Sequence, residues 1–98
     1  MSTFTPLVVC PCVYTLKLQG DVAVQFYVYV ESCYNLNQSL AQHMSGVGAR
    51  FTREHKFIEI MSVQLINGDA IAAENERTLE MIAEYRSERV RGGKYLSG

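Results

Sequence analysis

The sequence predicts a small α/β domain in which a three-stranded mixed sheet is flanked by helices, in the order β-β-α-β-α. Two observations favour this class. Three segments are rich in β-branched and aromatic residues, and two other segments carry apolar residues at helical spacing. The length of 98 residues, of which 48% are hydrophobic, suits one compact domain. We expect its core to cover about residues 12–86, with residues 87–98 as a C-terminal tail.

The strand segments are "CVYTLKL" (12–18), "AVQFYVYVE" (23–31) and "KFIEIMSVQLI" (56–66). In the first segment two sets of side chains alternate with the two-residue period of a strand. The second segment has the highest content of strand-favouring residues. The turn residues "QGD" (19–21) separate these two segments, so we expect them to pair as a hairpin. An Asn-Gly pair ends the third segment.

Two helices are predicted from their capping residues. Asn35 is placed to cap a helix over about 36–45, since its side chain can accept hydrogen bonds from the first free N–H groups. Gly46 and Gly48 end this helix, because glycine adopts left-handed backbone angles at little cost.

A second helix is predicted over about 70–86, with Asp69 as its cap. Its expected inward residues are Ile71, Leu79, Ile82 and Tyr85, and its expected outward residues are Glu76, Glu80 and Glu84. The last twelve residues are too rich in glycine and charge to predict a regular element.

The charge balance argues against a strongly basic nucleic-acid-binding protein. The sequence contains nine lysine and arginine residues and ten acidic residues, which gives a net charge of −1. Any contact with phosphate must therefore come from a local cluster, for which Arg50, Arg53 and Lys56 are the candidates. The alternative is that these residues are part of an ordinary solvated face.

Neither the membrane nor the secretory pathway is indicated. No segment has the unbroken apolar length of a membrane span, and the N-terminus lacks the basic start and cleavage site of a signal peptide. We expect an intracellular protein, in the cytoplasm, in the nucleus or within a virus particle. Cys10, Cys12 and Cys33 are too few for a tetrahedral zinc site, so buried cysteines are the favoured interpretation. No small-molecule cofactor is indicated.

Four stretches carry motifs of one known family: "VYTLKL", "YVYVESCYNL", "LAQHMSGVGARFTR" and "RVRGGKY". Together they resemble the GIY-YIG nuclease domain. The last is similar to the V-R-G-G-x-Y tail of a subgroup that is frequent in large DNA viruses. The resemblance covers residues 12–95, and its specific parts are the histidine-to-arginine run and the tail.

The resemblance implies three catalytic side chains. Tyr14 falls at the tyrosine of the GIY element, and His43 matches the family histidine. The second tyrosine is Tyr29 if the helix is reached without a gap, or Tyr27 if two residues are inserted; we favour Tyr29. In the family these groups orient or deprotonate the attacking water.

The resemblance also implies a divalent metal, Mg²⁺ or Mn²⁺, if the protein is active. In the family a glutamate early in the last helix holds this metal. Glu74 fits that position best, and Glu76 is the alternative. A carboxylate suits Mg²⁺, which prefers hard oxygen ligands and keeps several waters.

Two positions depart from the family pattern. Ser39 stands where the family has an arginine four residues before the histidine, and Glu31 replaces the glycine of the YIG element. Losing a charged contact to the phosphate costs roughly 3 kcal/mol in the transition state, or about a hundredfold in rate. An anion at position 31 would also repel the phosphate.

Three functional hypotheses follow. The first is a degenerate member that cleaves inefficiently and acts by binding DNA or a protein. The second is an active endonuclease in which Arg50 or Arg53 replaces the missing cation. The third is a structural subunit of a large assembly such as a virus particle. The sequence leaves enzymatic activity open.

Overall fold

The computed structural model describes residues 9–46 and 50–93, and these form a four-stranded sheet flanked by helices. The elements are β1 (Val9–Gln19), β2 (Phe26–Asn35), α1 (Leu36–Ser45), α2 (Arg50–Glu54), β3 (Phe57–Leu65), α3 (Ala70–Tyr85), a 3₁₀ turn (Ser87–Arg89) and β4 (Val90–Gly92). The strand order is β3-β1-β2-β4. β1 is antiparallel to β2 and β3, and β4 is parallel to β2. The predicted α/β class with a mixed sheet is confirmed.

The fourth strand corrects the prediction that the tail lacks regular structure. β4 pairs with Val28–Val30 of β2, and Val90 is 1% exposed. Gly92 is required for this close approach, because a Cβ atom there would lie 2.7 Å from the carbonyl oxygen of Val30. The glycine content that argued against a strand is therefore what allows the strand to pack. Residues 94–98 lie outside the described residues.

The sheet buries both faces. Alternate side chains on β1 and β2 point to opposite sides, so two apolar clusters form. The cluster on the side of α1 contains Cys12, Tyr14, Leu16, Leu18, Tyr27, Tyr29 and Leu36. The cluster on the side of α3 contains Val13, Val28, Val30, Met81 and Val90.

Both long helices begin at the predicted capping residues. The side chain of Asn35 accepts a hydrogen bond from the N–H of Gln38 at 3.0 Å. Asp69 accepts from the N–H groups of Ile71 and Ala72. Gly46 ends α1 with a left-handed φ of 82°, as its sequence position predicts. Gly48 lies outside the described residues.

The predicted inward face of α3 is partly wrong. Ile71 and Leu79 are 71% and 49% exposed, whereas Thr78 and Met81 are buried. The Thr78 hydroxyl donates to the Glu74 carbonyl at 2.7 Å, so this polar group is buried without losing its hydrogen bond. α3 packs on β1, β2 and β4, so its rotation is set by those strands rather than by its own apolar residues.

The segment after the glycine-rich turn also differs from expectation. Residues 50–54, which the sequence assigned to neither a helix nor a strand, form the short helix α2, which carries Arg50 and Arg53 and buries Thr52 at 3% exposure. On the edge strand β3, Ile60, Val63 and Leu65 are 42%, 43% and 68% exposed. Within residues 9–46 and 50–93, no helix is both long and apolar enough to cross a bilayer.

Arg86 supplies a test of the turn between α3 and β4. Its φ of 80° and ψ of 153° lie in a region that side chains other than glycine rarely adopt. We expect Arg86→Gly to raise the free energy of unfolding by about 1 kcal/mol in urea denaturation. The matched variant Ala83→Gly, in the exposed helix interior, should lower it by about 1 kcal/mol. A decrease in the free energy of unfolding of the same size in both variants would contradict a strained backbone at Arg86.

Candidate active site

The pairing of β1 with β2 places the site residues on one face of the sheet. Tyr14 lies directly opposite Glu31, and Leu16 lies opposite Tyr29. Because side chains two residues apart along a strand share a face, Tyr14, Tyr29 and Glu31 all point toward α1. The sequence predicted both tyrosines as site residues and Glu31 as a departure.

His43 is held at both ring nitrogens. The Tyr14 hydroxyl and Nε2 share a hydrogen bond of 2.7 Å, and Nδ1 shares one of 2.8 Å with the Thr52 hydroxyl. The ring is 5% exposed, in the last turn of α1. α1 and α2 together fix the imidazole over β1. The structure thus brings together Tyr14 and His43, two of the predicted catalytic residues.

The Glu31 carboxylate faces the same imidazole. Its Oε1 atom lies 3.5 Å from His43 Nε2, and it is buried without a hydrogen-bond partner among the described residues. Burial opposes ionisation, but the facing imidazole of His43 and the Tyr29 hydroxyl outweigh it and lower the pKa of Glu31. The site therefore contains a carboxylate anion at neutral pH.

The two tyrosines remain neutral beside this anion. Burial and then the Glu31 charge raise the pKa of both Tyr14 and Tyr29 far above that of a free phenol. The Tyr29 ring meets the His43 ring edge-on, at 5.7 Å between centroids. These phenols are able to orient a bound group by hydrogen bonding, but both stay protonated at neutral pH and so do not act as general bases.

Tyr27, the alternative second tyrosine, has different partners. Its hydroxyl donates to Asp21 at 2.8 Å in the hairpin turn. This hydrogen bond, followed by those from the Val24 and Ala23 N–H groups, lowers the pKa of Asp21. The Tyr27 ring packs against Phe51 and His55. The geometry fits the preference for Tyr29, whose ring contacts His43.

Glu74 is positioned from the opposite face of the sheet. Its Oε1 accepts from the N–H and the hydroxyl of Ser32, at 2.6 and 2.7 Å. Its charge also contributes to the raised pKa of Tyr29. Glu76 is exposed and lines a separate cavity of about 260 Å³ with Asn67 and Asp69.

The donor set fits a metal held through one carboxylate. Mg²⁺ commonly takes one or two carboxylates and completes its octahedron with water and phosphate oxygens. Glu74 is oriented by Ser32 in a way that suits such a ligand. In the part of the chain that the structure describes, no group of three or more His, Cys, Asp and Glu side chains forms a fuller cage.

Two of the three predicted cationic residues share a groove with His43. Arg53 and Lys56 line this groove, which has a volume of about 440 Å³. Arg50 instead forms an ion pair with Glu54 at 3.6 Å and is exposed. Ser39 is half-buried on α1, one turn before His43.

Three supporting residues were missed by the sequence analysis. Thr52 holds His43, Ser32 holds Glu74, and the Arg91 guanidinium lies 5.5 Å from the centre of the Phe51 ring. Thr52 and Arg91 lie within the "GARFTR" and "RVRGG" stretches that carried the resemblance. Ser32 lies between Glu31 and Cys33 and had no distinguishing pattern.

The comparisons with known proteins give a weak similarity to one family. A UPF0213 protein of Natronomonas pharaonis is 25% identical over 79 residues, covering 70% of this chain and 93% of that protein. UPF0213 is a GIY-YIG nuclease-like family. No family model matches the chain, and no solved structure matches it.

The lowered pKa of Glu31 predicts a pH-dependent contribution to stability. A carboxylate with a lowered pKa stabilises the fold above its unfolded-state pKa, and the contribution is lost as pH falls through the folded-state pKa. We expect Glu31→Gln to lower the Tm at pH 7, with a difference from wild type that shrinks as the pH falls below about 4.3, the usual pKa of a glutamate. Glu76→Gln, at an exposed position, is the control. A difference that grows on acidification would contradict the assignment.

Proposed function

We propose that this chain is a degenerate GIY-YIG-type domain that binds nucleic-acid backbone beside His43 and cleaves it inefficiently. The observation that carries the proposal is the position of Glu31, whose Oε1 lies 3.5 Å from His43 Nε2. The similarity to a UPF0213 protein supports the family assignment. The sheet and the Tyr14–His43 contact are consistent with it.

Inefficient cleavage follows from the charges around His43. Phosphodiester hydrolysis needs an oriented water and positive charge near the transferring phosphoryl group. Here both imidazole nitrogens already have hydrogen-bond partners, and a carboxylate faces Nε2. Ser39 supplies no compensating charge. A phosphate entering between Tyr14 and Glu31 would meet an anion rather than a cation.

Glu74 is the residue that would hold a divalent metal. Such a metal, when bound, supplies charge stabilisation to the phosphate oxygens. Ser32 fixes the Glu74 carboxylate from the backbone of β2, next to Glu31. Retention of this arrangement is compatible with metal-assisted binding as well as with catalysis.

Binding is supported by the groove beside His43. Arg53 and Lys56 contribute two positive charges, and no acidic side chain is among the described residues that line it. Lysine and arginine in such grooves neutralise phosphates and release counterions, which gives affinity without sequence specificity. The near-neutral net charge is compatible with this because the cations are local.

Binding of fluorescein-labelled DNA, measured by anisotropy over a range of salt concentrations, tests the proposal. We expect Arg53→Ala with Lys56→Ala to weaken binding about tenfold and to reduce the slope of log K against log salt by roughly 2, because two phosphate contacts are lost. The matched control is Arg86→Ala with Arg89→Ala, which removes two charges from a different cavity at the end of α3.

The control variant should leave the slope close to that of wild type. Equal losses in the two double variants would mean that only net charge matters, and the groove would then have no specific role. Absence of DNA binding by the wild type would remove the proposed function altogether.

A second candidate function is that of a subunit in a larger assembly. The exposed Ile60, Val63 and Leu65 on edge strand β3 favour it, because they form an apolar strip that pairs with buried residues of β1. If the wild type does not bind DNA, the role of an assembly subunit becomes the favoured function.

A further inference from the structure

Two cysteines face each other across β1 and β2, beside the candidate site. Cys12 and Cys33 are directly opposite in the strand pairing, and their sulfur atoms are 3.6 Å apart. We propose that Cys12 and Cys33 are a modification site, at which a low-molecular-weight disulfide oxidant forms a reversible cross-strand disulfide. The inference is independent of whether the protein binds nucleic acid.

The backbone geometry permits this bond without rearrangement. Directly opposed residues in an antiparallel pair have Cα atoms about 4.5–5.5 Å apart, which lies within the range spanned by disulfides. The two Sγ atoms are in contact but not bonded, and an S–S bond of about 2.05 Å is reached by small side-chain rotations. Both sulfurs belong to the face that points toward α1.

The difference in exposure sets the order of the chemical steps. Cys33 is half-buried and accessible to a small oxidant, whereas Cys12 is fully buried. The Cys33 thiolate attacks one sulfur of oxidised glutathione, forms a mixed disulfide and expels one glutathione thiolate. The Cys12 thiolate then attacks Cys33 Sγ and expels the second glutathione. The protein loses two protons and two electrons, and the oxidant gains them as two thiols.

The cross-link would join the two strands next to the candidate active site. Cys12 is two residues from Tyr14 on β1, and Cys33 is two residues from Glu31 on β2. The Cys33 thiol group lies close enough to Tyr14 to contribute to its raised pKa, after burial and Glu31. Bridging residues 21 apart in sequence also restricts the unfolded chain, so the oxidised form should be more stable.

The test uses full-length Cys10→Ser protein, because the Cys10 side chain lies outside the described residues and is a competing thiol. Incubation with oxidised glutathione should remove about 2 Da from the intact mass, and the Tm should rise by roughly 10 °C. Dithiothreitol should reverse both changes. Peptide mapping should locate the bond at Cys12 and Cys33.

The additional variant Cys12→Ser isolates the first step. In the Cys10→Ser background it should stop at a stable mixed disulfide on Cys33, whereas Cys33→Ser should give no cross-link and little adduct. Protein that stays fully reduced in the Cys10→Ser background overturns the proposal. So does an adduct that accumulates on Cys33 without conversion to the bridge while Cys12 is present.

Discussion

The pairing register of β1 with β2 is the constraint on which the rest of the site depends. It sets Tyr14 against Glu31 and Cys12 against Cys33, and it places Tyr29 on the same face. A slip of β2 by one residue against β1 would turn Tyr29, Glu31 and Cys33 toward α3 and bring Val28 and Val30 under α1. Burial of apolar residues on both faces therefore fixes the register, and the polar site is fixed with it.

The same register places the Glu31 carboxylate among the largely apolar side chains on the α1 side of the sheet. His43 and the tyrosine hydroxyls face the Glu31 carboxylate and lower its pKa, while burial and then the Glu31 charge raise the pKa of Tyr14 and Tyr29. The Glu31 carboxylate carries a negative charge, as a phosphate does. The pocket beside His43 therefore already contains the kind of negative group that the substrate of a nuclease would bring. In the proposed function, affinity for nucleic acid would come from Arg53 and Lys56 in the adjoining groove.

Local features of the sequence were sufficient to predict much of the fold. Asn35, Asp69 and Gly46 act through hydrogen bonds and backbone angles within a few residues, so their caps were predictable. β4 was not, because its pairing with β2 and the tight fit of Gly92 on Val30 depend on distant neighbours. The family resemblance indicated Tyr14 and His43 as site residues. The contacts of Thr52 with His43 and of Ser32 with Glu74 also join distant parts of the chain, so they appear only in three dimensions.

The most direct test of the central claim is a plasmid-nicking assay with Mg²⁺ or Mn²⁺. It compares the wild type with Glu74→Ala, and it also includes a Glu31→Gly and Ser39→Arg double variant. The claim that Glu31 disables His43 predicts no Glu74-dependent nicking by the wild type and a gain of such nicking in the double variant. Efficient nicking by the wild type that disappears in Glu74→Ala would contradict it.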